Sequence, residues 1–273
     1  MKGPVKTLLL WLTGFVLLSC TLRGADAPPE LKKGKDAPHC VSPSQPAPAE
    51  GRPHHEKNIE GWTVRVNPVL LDNDRAATER ALDLLRGQLA EIRRVVPPRP
   101  VKRLQEVPLW FNPPYEGVRP RAEYHPDPGW LRANRRDPAM ARAIEFTNVS
   151  IFEQECRRMP MLALHELAHA YHHQVIGHGD QEIKNAYEAA KASGIYESVK
   201  RWTGEKEVTD RAYALSNEKE YFAELTESFF GRNDFYPFDR EQLEKHDPEM
   251  ARVLARLWNG AETGASKPPA QKR

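Results

Sequence analysis

Two histidines four residues apart, His165 and His169, with Glu166 directly after the first, lie in the otherwise apolar stretch MLALHELAHAY at 161–171. Wound as a helix, Met161, Leu162, Leu164, Leu167, Ala168 and Ala170 cover nearly its whole circumference, so the segment is expected to be buried. A polar group buried without a partner costs roughly 1–3 kcal/mol, and an unpaired carboxylate costs more. The three polar side chains therefore need something that makes burial tolerable, and a divalent metal ion is one answer. Residues i and i+4 share a helical face, so the imidazoles of His165 and His169 can converge on a single Zn²⁺. Glu166 is rotated away by one residue, outside the ligand set yet within reach of a water at the ion, which is where a general base belongs. The competing expectation is a pair of histidines hydrogen-bonded inside a core.

A catalytic zinc usually takes three protein ligands and keeps a fourth position open. The extended motif with a glycine and a third histidine is missing, because position 172 is His and position 175 is Val. A carboxylate some twenty residues downstream, such as Glu188, falls in the weakly patterned NAYEAAKAS. YALSNEKEYFAELTESFF, at 213–230, offers more. There Glu220 and Glu224 stand one turn apart on a helix whose core side is Tyr221, Phe222, Leu225 and Phe229, so both carboxylates border the apolar face. Two alternatives stay open: Glu220 closes a helix start with Asn217 in a capping box, or Glu218 or Glu224 is the third ligand instead.

Together, HELAH at 165–169 and the pattern Y-x6-E-[YF]-F-A-E at 213–224 resemble the lethal-factor-type zinc metallopeptidases, which include the anthrax lethal factor catalytic domain and the secreted Pro-Pro endopeptidases. The resemblance spans about residues 155–231 and includes no receptor-binding or toxin-delivery domain. It implies one catalytic Zn²⁺ held by His165, His169 and Glu220, with Glu166 as base. Tyr213 would assist the transition state, and Glu224 would accept a hydrogen bond from a ligand histidine. The implied fold is α+β, a zincin-like metallopeptidase domain with a small sheet packed on the active-site helix and a second, ligand-bearing helix. The implied reaction is hydrolysis of a peptide or protein substrate that pairs in extended form with the strand at 144–151. Tyr213 also has an ordinary reading, as a residue of a hairpin or helix. His172, His173 and His178 read as surface or supporting groups, and the aromatics at 229–238 as core.

These residues need a scaffold. Pro160 suits a first helical turn and Gly177 a stop, which predicts the histidine helix at about 160–176. Helices are also expected at 75–96, through Leu82, Leu84, Leu85, Leu89 and Ile92, at 180–193, and at 217–231, with one or two more closing the domain. Residues 196–215 form either a hairpin around 203–205 or a helix. Strands are expected from Gly61 through WTVRVNPVLL, at 107–111, and at 141–152, with a long irregular connection over 112–140.

The 273-residue chain is 40% hydrophobic, enough for a core. Its 40 basic and 38 acidic residues leave a net charge of +2, and no basic stripe interleaved with aromatics is present, so nucleic acid is not an expected partner. Lys2 and Lys6 precede the apolar run at 7–18, which is too short to span a bilayer and reads as an export signal over 1–20. LLSC at 17–20 resembles a lipobox, which would put a lipid on Cys20 and make this the sole membrane contact; simple secretion, with a cut near the ADA at 25–27, is the alternative. Either way the protein is exported, secreted or lipid-anchored to the envelope. Cys40 and Cys156 then remain, as a pair or as two thiols. Residues 21–58 read as a Pro-rich flexible linker with His54 and His55 solvated, 59–260 as the catalytic domain, and 261–273 as a disordered tail. Two functions outside the peptidase reading remain: a non-catalytic zinc-binding envelope protein, and a metal-dependent amidase acting on cell-wall peptides.

Overall fold

A computed structural model describes residues 53–259. The export signal, the lipobox with Cys20, most of the linker, Cys40 and its pairing with Cys156, and the tail fall outside the described residues. In chain order the elements are β1 His55–Ile59, β2 Trp62–Val66, α1 Pro68–Asn73, α2 Arg75–Val95, α3 Pro98–Leu104, β3 Leu109–Phe111, β4 Ala122–Tyr124, α4 Pro128–Ala133 and β5 Ile144–Phe146. Then come α5 Phe152–Arg158, α6 Leu162–Tyr171, α7 Gln181–Ser193, β6 Val199–Trp202, β7 Glu207–Asp210, α8 Glu218–Phe230, α9 Arg240–His246 and α10 Pro248–Trp258. The architecture is α+β: a mixed five-stranded sheet, ordered β1-β2-β3-β5-β4, together with a two-stranded hairpin and ten helices among the described residues.

β2, β3 and β5 run parallel, while β1 and β4 lie antiparallel at the two edges. Strand alternation divides the side chains cleanly between the two faces. Leu109, Phe111, Ile144 and Phe146 join the main core with α2 and α6, whereas Trp110 turns to the other face, where Leu131, Met140 and Ala143 cover it. Glu145 also alternates away from the main core, and it is buried.

The helix that carries the histidines is held at its start by α2. Gln88, on the buried side of α2, accepts from the Ala163 N–H at 2.7 Å and so satisfies one of the donors a helix N-terminus leaves unpaired. At the other end Tyr171 stacks on Trp258 of α10 with ring centroids 4.2 Å apart, and the Trp258 indole donates to Thr226 of α8 at 3.3 Å. At the start of α6 the packing against α8 is close: a Cβ on Gly231, just past α8, would lie 2.8 Å from Cγ and Sδ of Met161.

Several expected boundaries move. Order begins before Gly61: β1 lies inside the stretch read as linker, and it turns into β2 through Glu60 and Gly61, both at positive φ, 52° and 95°. His54 is not simply solvated, since its Nε2 lies 3.0 Å from Asn112 Oδ1 and its ring meets Trp110 edge-on. The strand from Gly61 stops at Val66, because Asn67 caps α1 and Pro68 fits its first turn. The connection at 112–140 contains β4 and α4, and the expected strand at 141–152 shrinks to β5 before the chain turns into α5. α6 is regular only to Tyr171 and continues as a π turn over His172–Ile176, with Gly177 at φ 90° as its stop. Residues 199–210 form the hairpin, and Asp247 divides the closing segment into α9 and α10. No helix among the described residues is long and apolar enough to cross a membrane.

Candidate metal site

α6 and α8 pack side by side, and their polar residues meet. His165 Nε2, His169 Nε2 and Glu220 Oε2 form a triangle with every side at 3.2 Å. A tetrahedral ion with bonds of roughly 2.0–2.1 Å separates its ligand atoms by about 3.3 Å, so the three atoms stand at the spacing such an ion requires. Hydrogen bonds serve the triangle less completely, because hydrogens on both Nε2 atoms can reach Glu220 only by leaving the 3.2 Å imidazole–imidazole contact without one. Among the described residues, this set and His165 with Glu224 and Glu227 are the groups whose donor atoms lie within 4.8 Å of one another.

The tautomer of His165 follows from its other nitrogen. Nδ1 lies 2.8 Å from Glu227 Oε1, and a neutral imidazole that places its hydrogen there leaves the Nε2 lone pair toward the triangle, as a metal ligand needs. Burial disfavours charge on this imidazole, yet the Glu220 and Glu227 carboxylates outweigh it and hold the His165 pKa well above the ordinary value. Glu220 is only partly buried, and the two histidines hold its carboxyl well below the usual range. Protons thus compete for the position a cation would take, so metal affinity must fall in acid.

Glu220 is the α8 carboxylate that reaches the histidines. Asn217 caps the helix, accepting from the Lys219 and Glu220 N–H groups at 2.9 and 3.1 Å, but the Glu220 side chain does not return to close a capping box. Glu218 is not in the cluster. Glu224 does not make the contact expected of it: it stands 3.8 Å from His165 Nδ1 and instead accepts from Asn233 at 3.2 Å. The reason is helical phase. An i+4 residue sits about 40° around the helix from its reference, whereas an i+7 residue drifts by only about 20°. Glu227 is therefore nearly in line with Glu220 and takes the hydrogen bond. Burial, together with the nearby Asp234 and Glu227 charges, pushes the Glu224 carboxyl well up; burial raises Glu227 only to about 7, because His165 pulls against it.

Glu166 occupies the cleft side of α6, where its Oε2 accepts from the Tyr124 backbone N–H of β4 at 2.9 Å. The Tyr124 hydroxyl lies 2.8 Å from His173 Nδ1 and 3.1 Å from Gln174 Nε2, both on the π turn. An irregular helical turn thus ties the edge strand to the same helix that bears the triangle. Tyr213, on a 3-10 turn before α8, is half exposed and lines the same cleft, with burial and the Glu220 charge both raising its phenol pKa. The cleft encloses about 630 Å³, and its walls include Ala122, Met159, Leu162 and Phe235.

β5 is not free to pair with a substrate, since β3 and β4 occupy both of its edges. The open edge is β4. Thr147 N–H donates to Arg121 O and His125 N–H to Ala143 O, so the backbone groups of Ala122 and Tyr124, at alternate positions, face away from β5 toward the cleft. Of the other histidines, His178 lines the cleft, while His172 is buried against Phe222 with its Nδ1 unpaired. Glu227 and Tyr124 were missed from sequence, whereas His173 stands where a supporting group was expected. The spacing of Glu220, Glu224 and Glu227 along one face was the available signal for the first; the Arg- and Pro-rich context of β4 offered none for the second.

No protein-family model, curated protein or solved structure matches the chain.

Proposed function

We propose that this protein is an exported, zinc-dependent endopeptidase with a zincin-like catalytic domain. The observation that carries the proposal is the 3.2 Å triangle of His165, His169 and Glu220, with Glu166 beside it under an open strand edge. His165 and His169 would hold the ion from α6, and Glu220 from α8. When bound, zinc supplies Lewis acidity, activating water and polarising a carbonyl.

The remaining work falls to the chain's own groups. β4 orients an extended peptide by pairing it with the Ala122 N–H and C=O and the Tyr124 C=O, which places the scissile bond over α6. Glu166 takes the proton of the attacking water on one carboxylate oxygen and delivers it to the departing amine. The Tyr124 N–H steadies the other oxygen, fixing the direction in which the carboxylate presents itself. From the opposite wall the Tyr213 hydroxyl donates to the developing oxyanion. A structural zinc would have no use for a carboxylate held free of the ligand set at the mouth of a cleft, which sets the non-catalytic reading behind this one.

The test is cleavage-site profiling of the purified protein on an unstructured protein and a peptide library, with cell-wall peptides in parallel and zinc content measured throughout. Cleavage abolished by a chelator and restored by zinc is expected. Full zinc occupancy with no cleavage of any polypeptide would overturn the peptidase reading, and cleavage confined to cell-wall peptides would convert it to the amidase.

A further inference from the structure

Resting on the metal site proposed above, we propose that Glu227 is the positioning residue that makes His165 a metal ligand, and that Glu224 does not share this role. Three observations carry it. The first is distance: Glu227 Oε1 lies 2.8 Å from His165 Nδ1, against 3.8 Å for the nearer Glu224 oxygen. The second is commitment, because Glu224 is engaged by Asn233 whereas the other oxygen of Glu227 has no hydrogen-bond partner, which leaves the histidine as its one hydrogen bond. The third is that the residues on both sides of Glu227 are anchored through their side chains. Thr226 receives the Trp258 indole, and the Ser228 hydroxyl donates to Pro237 O at 2.6 Å.

The packing of the two helices favours the same pair. Gly231 meets Met161 at the start of α6. One turn further along each helix, in opposite chain directions, stand Glu227 and His165. A small residue at 231 thus lets α8 lie close enough to α6 for a glutamate to reach Nδ1. Glu227 fixes the tautomer and the ring plane, so that Nε2 meets the ion with its lone pair already aimed. The metal site is then a chain of four side chains, Glu220 and His169 on the ion and Glu227 acting through His165.

The experiment compares zinc affinity, by competition with a chromogenic chelator, in the wild-type protein, E227Q and E224Q. E227Q is expected to bind zinc roughly 10–100-fold more weakly, with E224Q unchanged. On ¹⁵N-histidine-labelled protein, the hydrogen-bonded Nδ1–H signal of His165 should persist in E224Q and be lost or shifted in E227Q. The wild-type spectrum alone tests the tautomer if E227Q does not fold. Loss of affinity in E224Q with E227Q unaffected would overturn the assignment, as would a zinc-loaded wild-type protein whose His165 shows no hydrogen-bonded Nδ1–H. A wild-type protein without zinc affinity would instead overturn the metal site itself, so the two failures are distinguishable.

Discussion

Glu145 and Glu220 are both drawn into the protein, on opposite sides of the sheet, and they are satisfied in opposite ways. Glu145 is enclosed by donors: Asn112 at 2.7 Å, Tyr115 at 2.7 Å, His125 at 2.9 Å and Arg136 at 3.2 Å. Arg136 in turn lies over the rings of Tyr115 and Trp130, closing the group with its own counter-charge. Glu220 meets two imidazole nitrogens that also face each other, three potential ligand atoms at one spacing. A buried carboxylate with a full complement of donors is finished as folded. One whose nearest neighbours are all potential ligands has a geometry that a cation could complete.

The contrast can be broken outright at the triangle. Replacing Glu220 with Ala should abolish zinc retention and with it all cleavage, whereas E145Q should keep its zinc. Metal analysis after dialysis decides it, and an E220A protein that retains one zinc would end the distinction. The next effect in size separates holding the ion from using it. E166Q should retain zinc and lose hydrolysis by roughly 10²–10⁴-fold, the ordinary worth of a general base, as read by turnover on the profiled peptide; normal turnover would remove Glu166 from the chemistry.

The smallest effect sharpens the other half. Burial alone would raise the Glu145 carboxyl, yet the hydrogen bonds from His125, Tyr115 and Asn112 hold it below the ordinary value. A depressed folded-state pKa contributes stability that is present above the unfolded value, about 4.3, and is lost as pH falls through the lower folded one. Wild-type protein should therefore lose stability more steeply than E145Q below about pH 4, as followed by thermal melting. At neutral pH E145A should cost about 3 kcal/mol, because His125 is left buried without its partner and Arg136 keeps only Glu123. Parallel acid profiles for wild type and E145Q would show that Glu145 is not held ionised by its donors.

How much of this could be read from the chain depended on where the signal was carried. The helices α2 and α8 announce themselves by apolar period and α6 by an apolar run between Pro160 and Gly177; HELAH offers the two histidines, while the choice of Glu220 among the α8 carboxylates came from the resemblance. Glu227 escaped because Glu224, one turn from Glu220, looks equally well placed until the helical phase is worked out to the second turn. β1 was missed because HEKNI exposes four of its five residues and so shows no alternation, and its turn is Glu-Gly rather than the Asn-Gly or Asp-Gly that marks a tight hairpin. β4, three residues long, is defined by its pairing with β5, which no local pattern records. α5 was hidden because apolar Ile144, Phe146 and Phe152 read as one strand, although the chain turns sharply after Phe146.

The bond from the Tyr124 N–H to Glu166 has a practical corollary for ligand design. The edge strand has already spent that donor, so a peptide mimetic laid along β4 gains nothing from an acceptor opposite residue 124. It should instead offer a donor to the Tyr124 carbonyl and a matched donor and acceptor to Ala122. A scaffold in which the one idle carbonyl is replaced by carbon would keep its grip while presenting less backbone to competing proteases.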